Sequence, residues 1–281
     1  MSIISSLIES LKDENEVYIQ THNFPDHDSV ASAFGLQFIL KYFGINSHII
    51  YEGEIQRDSL SEMIKSLGIV INHNELHNLN DDHKIIIVDG CKGNKNVTDL
   101  TGEEIAVIDH HQVNSPDDVR FIDIRSDYGA CSSIIHSYFR ELNIPVPGEI
   151  ATALMIGIDM DTLQLTRNES IYDLEAYYHL YKISDIRLKN SILRNYIQTK
   201  DLKFYKILLD KLQIKNGTAY CYFKEGCNQN LLGILGDFLL ALEEVDFVIL
   251  CAKNNDVINF SLRSERPEWN AAKIILGSGI L

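Results

Sequence analysis

Two apolar runs in the first half of the chain stop on the same kind of residue. Ile85-Ile86-Ile87-Val88 runs into Asp89-Gly90, and Ile105-Ala106-Val107-Ile108 runs into Asp109-His110-His111. Continuous β-branched runs of this length belong to parallel strands covered on both faces. Two more clusters repeat the arrangement. His22-Asn23-Phe24-Pro25-Asp26-His27-Asp28-Ser29 follows a short strand signal at residues 17–21. Asp159-Met160-Asp161-Thr162 follows Leu154-Met155-Ile156-Gly157-Ile158, a run that reads equally as strand or helix.

Helix signals alternate with these strands. Residues 5–11 read as an opening helix. Residues 29–43 read as a strong one, with Ser29 as its cap and Gly44 closing it. Residues 47–51 read as strand, and 59–67 as helix ended by Gly68. Strand–helix alternation implies an α/β fold, a parallel sheet flanked by helices. Ligands of such sheets bind beyond the carboxyl ends of the strands, where at least three clusters fall. Residues 169–210 are polar and helix-favouring. Beyond them, strand signals at 218–223, 245–252 and 257–263 surround a helix signal at 231–242. The expected organisation is a catalytic domain over 1–185, a helical connector over 186–211 and a smaller α/β C-terminal domain over 212–281.

The 281 residues carry a formal net charge of −15. That charge argues against a broad basic footprint for long nucleic acid. It does not exclude a short anionic substrate, because bound dications reverse the local field. No apolar run reaches the ~18 residues of a membrane helix, and no basic region precedes an apolar stretch at the N-terminus. A cytoplasmic protein without a membrane partner is expected. The five cysteines sit at irregular spacings with no paired zinc motif and read as reduced thiols.

Taken singly, most clusters have a plain structural reading. Asp28 or Ser29 caps a helix, and Asp89 ends a strand. Together they bring at least four carboxylates and three imidazoles to one region, a set that repels itself unless cations neutralise it. On an extended segment Asp26 and Asp28, two apart, would share a side, and each could serve one of two neighbouring metals. Mixed His/Asp ligation suits Mn²⁺, with Mg²⁺ as the alternative.

In this order, the four clusters resemble the DHH phosphoesterase family. Asp109-His110-His111 matches the motif that names it, and the first cluster its His-x-x-x-Asp-x-Asp motif. Gly157 to Thr162 matches its last motif. Residues 231–238 and Phe260-Ser261-Leu262-Arg263-Ser264 are similar to the DHH-associated nucleotide-binding domain. The resemblance implies two metals. His22, Asp26 and Asp89 would hold one; Asp28, Asp89, His110 and Asp161 would hold the other, with Asp89 as bridge. It also implies that His111 faces the substrate phosphate and that Asp109 orients the histidines from behind. Asp89, Asp109, His110 and His111 are then the catalytic set. Asp159 is the weaker ligand of its pair. Family members carry a Gly-Gly-Gly-His stretch near the point where this sequence reads Gly277-Ser278-Gly279-Ile280-Leu281.

These readings predict phosphodiester hydrolysis by metal-activated water. His111, Ser261, Arg263 and Ser264 would bind substrate, Arg263 through its phosphate-matched guanidinium. Short oligonucleotides, dinucleotides or nucleotide bisphosphates are the expected substrates. A pyrophosphatase or exopolyphosphatase activity, or a catalytically weak nucleotide-binding protein, are the alternatives. Aromatic clusters near the connector could serve a homodimer contact.

Overall fold

The structure, a computed structural model, describes residues 2–194, 197–255, 257–266 and 269. It divides into two compact units, Met1–Tyr196 and Ile197–Leu281.

The first unit is built on a six-stranded, all-parallel sheet. Its strands are β1 (Val17–Thr21), β2 (Ser47–Tyr51), β3 (Ile71–His73), β4 (Lys84–Val88), β5 (Glu103–Asp109) and β6 (Phe121–Ile124), in the order β3-β2-β1-β4-β5-β6. The chain runs outward from β1 in one direction, then restarts at β4 on its other side. This reversal places the carboxyl ends of β1 and β4 side by side, with Thr21 opposite Val88 and Val88 opposite Ile108. A crevice opens at such a switch point because the loops leaving the two strands diverge.

Among the described residues this unit has seven α-helices: α1 (Ile3–Ser10), α2 (His27–Tyr42), α3 (Asp58–Ser66), α4 (Cys131–Glu141), α5 (Gly148–Asp161), α6 (Ile171–Tyr181) and α7 (Ile186–Arg194). Alternate strand residues separate two cores. Ile19, Ile49, Ile86, Val88, Ala106 and Ile108 join the buried residues of all seven helices. Tyr18, Ile50, Ile85, Ile87 and Val107 face a smaller core completed by Cys91, Val97, Leu100 and Val119. Helices on both sides were expected from the sequence. The helical side chains gather in one core, and loop residues fill the other.

Helix α2 starts earlier than Ser29. Asp26 is the cap, its carboxylate accepting from Ser29 N at 3.0 Å, and Ser29 Oγ accepts from Asp26 N at 3.0 Å. Ser29 therefore closes a reciprocal capping box from inside the first turn, an arrangement in which a cap contributes about 0.5–2 kcal/mol. The run 154–158, ambiguous in sequence, is helix: α5 is buried from Ile150 through Asp159. The fourth cluster thus sits at a helix C-terminus, not a strand end.

The second unit has a four-stranded sheet in the order β10-β9-β8-β7, formed by β7 (Gln213–Lys215), β8 (Thr218–Phe223), β9 (Phe247–Asn254) and β10 (Val257–Ser264). Only β8 and β9 run parallel, joined through α9 (Gln229–Leu240). The expected connector divides between the units. Ile192 and Leu193 of α7 lie in the first unit's core, while Leu208 of α8 (Leu202–Lys211) lies in the second's. Residues 277–281 fall outside the described residues. Among the described residues, no helix is long and apolar enough to cross a membrane.

Candidate metal centre

Three loops leave the carboxyl edge of the sheet and meet the N-terminus of α2 and the C-terminus of α5. His22 follows β1. Its Nδ1 lies 2.9 Å from the Asn23 carbonyl. A carbonyl can only accept, so Nδ1 carries the proton and Nε2 keeps a lone pair for a cation. That Nε2 is 3.6 Å from Asp26 Oδ1 and 3.7 Å from Asp89 Oδ2.

His110 is prepared in the same way. Its Nδ1 faces the Tyr128 carbonyl at 3.3 Å. Its Nε2 lies 3.2 Å from Asp161 Oδ2 and 3.4 Å from Asp89 Oδ1. Both His110 Nε2 and Asp89 Oδ1 are buried without a hydrogen-bond partner. Buried polar atoms left this way carry a penalty of about 1–3 kcal/mol each, which a cation between them would remove.

Asp89 is 1% exposed and adopts φ +57°. Its N–H donates to Ile108 O at 2.9 Å, extending the β4–β5 ladder by one bond, and the positive φ then ends the strand with the carboxylate buried. Gly90 must follow: a Cβ there would sit 2.8 Å from Val97 Cγ2 and 3.4 Å from His22 Cβ.

Asp28 departs from the extended reading. It lies inside the first turn of α2, so it points away from Asp26. Its carboxylate accepts from Cys131 N at 2.6 Å and Ser132 N at 2.9 Å. These are free N–H groups at the N-terminus of α4, where the helix dipole favours an anion. Gly157 lets α5 approach this carboxylate. A Cβ at Gly157 would lie 2.3 Å from Ser132 Oγ and 2.6 Å from Asp28 Oδ1.

The result is three donor sets: His22, Asp26 and Asp89; Asp28, His110 and Asp161; and Asp89, His110 and His111. Within each, donor atoms lie within 4.8 Å of one another. All six side chains named as metal ligands therefore converge, and Asp89 belongs to two sets. The donor chemistry, two imidazole nitrogens and four carboxylates, fits a pair of hard or borderline dications.

Electrostatics agree. Burial opposes charge on His110, but the nearby carboxylates of Asp161 and Asp89 override it, and its pKa is pushed up to about 12. His22, also opposed by burial, is raised to about 10 by Asp26 and Asp89. Burial lifts Asp161 to about 6 despite its contact with His110. Asp28 is raised well above the carboxylate range by burial and by the charges of Asp89 and Asp161. Without cations the centre holds protons in their place.

Asp109 lies behind the histidines. Its Oδ1 accepts from His110 N, His111 N and His111 Nδ1 at 2.8, 3.2 and 2.8 Å. Since His111 Nδ1 donates, its Nε2 is turned outward, and the side chain is 51% exposed. Asp159 takes no part. Its Oδ2 is 2.5 Å from Lys189 Nζ of α7, in a buried pair. Cys91 is buried with its Sγ toward the Asn114 carbonyl at 3.6 Å.

Two supporting groups escaped the sequence reading. Buried Asp173 receives hydrogen bonds from Gly129 N at 2.8 Å and from Ser170 N and Oγ at 2.8 and 2.6 Å. It fixes the loop whose Tyr128 carbonyl orients His110. The Ser170-x-x-Asp173 capping box was its visible signal. The N-terminus of α4, which holds Asp28, carried no local signal.

Ser261, Arg263 and Ser264 lie on β10 in the second unit. Arg263 Nε donates to Asp237 Oδ1 at 3.1 Å. Gly233 and Gly236 of α9 make room for it, since Cβ atoms there would meet Arg263 Nη2 at 2.9 Å and Cγ at 3.1 Å. Ser261 is buried with its Oγ unpartnered, whereas Ser264 Oγ donates to Arg266 O at 3.0 Å.

An uncharacterised protein of Methanocaldococcus jannaschii is 30% identical over 271 residues, covering 95% of this chain and 56% of that protein. A probable manganese-dependent inorganic pyrophosphatase of Streptococcus thermophilus is 24% identical over 156 residues, covering 54% of this chain and 49% of its own length. The chain thus spans about half the length of these two relatives. Among solved structures, an exopolyphosphatase-related protein from Bacteroides fragilis superposes with a TM-score of 0.80 at 16% identity, covering 94% of this chain and 83% of that one. Residues 16–158, half of the sequence, match the DHH family, N-terminal domain, and the chain belongs to that family.

Proposed function

We propose that this chain is a divalent-metal-dependent phosphodiesterase that cleaves short oligonucleotides or dinucleotides to mononucleotides. The observation that carries this reading is the chaining of the donor sets: Asp89 links His22 and Asp26 to His110 and His111, and His110 links these to Asp28 and Asp161, a continuous donor cluster of the size two adjacent cations need. His22, Asp26 and Asp89 would hold one, and Asp28, Asp89, His110 and Asp161 the other. The streptococcal relative, a probable manganese-dependent enzyme, supports Mn²⁺ as the metal, with Mg²⁺ as its substitute. When bound, such a pair supplies hydroxide at neutral pH and offsets charge on phosphoryl oxygens.

The chain's own residues then have distinct tasks. Asp109 fixes the backbone and ring of His111 together. The same hydrogen bond raises the His111 pKa, which favours the imidazolium, the form whose Nε2–H can donate to a phosphoryl oxygen or to the leaving group. Tyr128 O and Asn23 O hold the tautomers of His110 and His22. On β10, Arg263 with Ser261 and Ser264 offers a phosphate-binding group at the second unit.

A phosphoanhydride hydrolase is the second reading, favoured by the pyrophosphatase relative, whose similarity covers 54% of this chain. The test is a panel of dinucleotides, longer oligomers and pyrophosphate with Mn²⁺, alongside bis-p-nitrophenyl phosphate. Dinucleotide cleavage faster than pyrophosphate cleavage is expected, with loss of at least 10³-fold in Asp89→Ala, about 4 kcal/mol of barrier. Faster phosphate release from pyrophosphate would decide for the second reading. Full activity in Asp89→Ala would refute both.

A further inference from the structure

We propose that Phe24 is the surface on which a substrate nucleobase stacks, which makes it the residue that separates nucleotide substrates from bare phosphates. Phe24 lies two residues after His22 and two before Asp26, inside the loop that supplies both donors. It is 51% exposed. A lone exposed aromatic is ordinary, but Phe24 also adopts φ +55°. Bulky residues avoid that conformation, and such strain persists where surrounding structure imposes it, often at ligand sites.

Here the surroundings do impose it. Asn23 N donates to Asn96 O at 2.6 Å, and Phe24 N donates to Glu52 O at 2.9 Å. The Asn23 amide is bonded to Thr98 Oγ1 at 3.0 Å. The loop is thus pinned from both sides. Gly53, at φ +78°, supports it from below. A Cβ there would lie 2.8 Å from Phe24 Cδ1 and 2.9 Å from Cε1. One part of the ring rests on Gly53, and the rest is exposed, on the loop that carries His22 and Asp26.

A rigid, half-covered aromatic ring next to a phosphate-cleaving centre suits the planar face of a base. Stacking is tolerant of base identity and adds affinity that does not depend on charge. Bare pyrophosphate has no group that uses this surface. The inference rests on the nucleotide reading above and names the feature of the substrate that the site selects.

The test is calorimetric titration of the Mn²⁺-loaded full chain with AMP and, separately, with inorganic phosphate. Phe24→Ala and Phe24→Leu should weaken AMP about tenfold, with phosphate affinity within twofold of the original. Phe24→Trp should retain AMP binding, and its fluorescence should be quenched by AMP but not by phosphate. Equal weakening of both ligands would mean that Phe24 only shapes the metal loop, and unchanged AMP affinity would remove it from the site. Either result overturns the proposal. If the unaltered chain cleaves pyrophosphate but no dinucleotide, the proposed activity fails, while the AMP titration still decides the role of Phe24.

Discussion

Gly157→Ala tests how tightly the packing of α5 sets the metal centre. The new methyl carbon would lie 2.6 Å from Asp28 Oδ1 and 3.1 Å from Asp28 Cα, against 3.4 Å or more for an ordinary contact. The Asp28 carboxylate must therefore retreat by about 0.8 Å, and metal ligation tolerates only about 0.2 Å. Retreat is blocked on the far side by the Cys131 and Ser132 N–H groups at 2.6 and 2.9 Å. Overpacking of this kind costs about 1–3 kcal/mol. Replacing a helical glycine by alanine returns about 1 kcal/mol. Global stability should thus fall by only about 0–2 kcal/mol, while affinity for the second Mn²⁺ falls at least tenfold. Electron paramagnetic resonance of free against bound Mn²⁺, with a thermal melt on the same samples, separates the two effects. Activity should drop in parallel and recover at high Mn²⁺. The Ser132→Ala/Gly157→Ala double variant removes the 2.3 Å clash with Ser132 Oγ but not the clash with Asp28, so its affinity should stay low. Two equivalents of Mn²⁺ bound at the original affinity, in either variant, would refute this account.

Two further expectations concern stability. His136 of α4 is buried, and burial followed by the nearby His179 of α6 and Arg140 of α4 lowers its pKa to about 4. In the unfolded chain it titrates near about 6.5. Between those values the unfolded state binds the extra proton, so stability is full above about pH 6.5 and falls by about 3 kcal/mol toward pH 4. Urea titrations should show a shallower acid loss in His136→Gln, and an identical pH slope would contradict the assignment. Lys189→Met leaves Asp159 buried without its cation, with only the Tyr177 hydroxyl at 3.5 Å, which should cost about 3–5 kcal/mol. The Asp159→Asn/Lys189→Met pair should lose less, and a single variant within 0.5 kcal/mol of the original would show that the pair holds nothing together.

The elements legible in the sequence were those whose signal is local. β2, β4 and β8 occupy the residues their apolar patterns named. Gly44 and Gly68 end their helices at φ +81° and +64°, as a residue without Cβ can do. β3 and β6 were not read, because three or four partly buried residues at a sheet edge carry too short an alternation. α4 was missed because Cys131-Ser132-Ser133 resembles a loop until its N–H groups have an anion to bind.

The centre divides along the same line. Carboxylates and imidazoles at the ends of apolar runs are written in the sequence, since a strand buried on both faces has only its termini for polar chemistry. Which of them meet was decided by tertiary structure. His22 and Asp89 are neighbours because β4 pairs with β1, and strand order follows from the packing of whole helices across a sheet. Asp28 separates from Asp26 because the helix begins between them, and it is held by a distant helix end. The sequence carries the donors; nonlocal packing sets their distances.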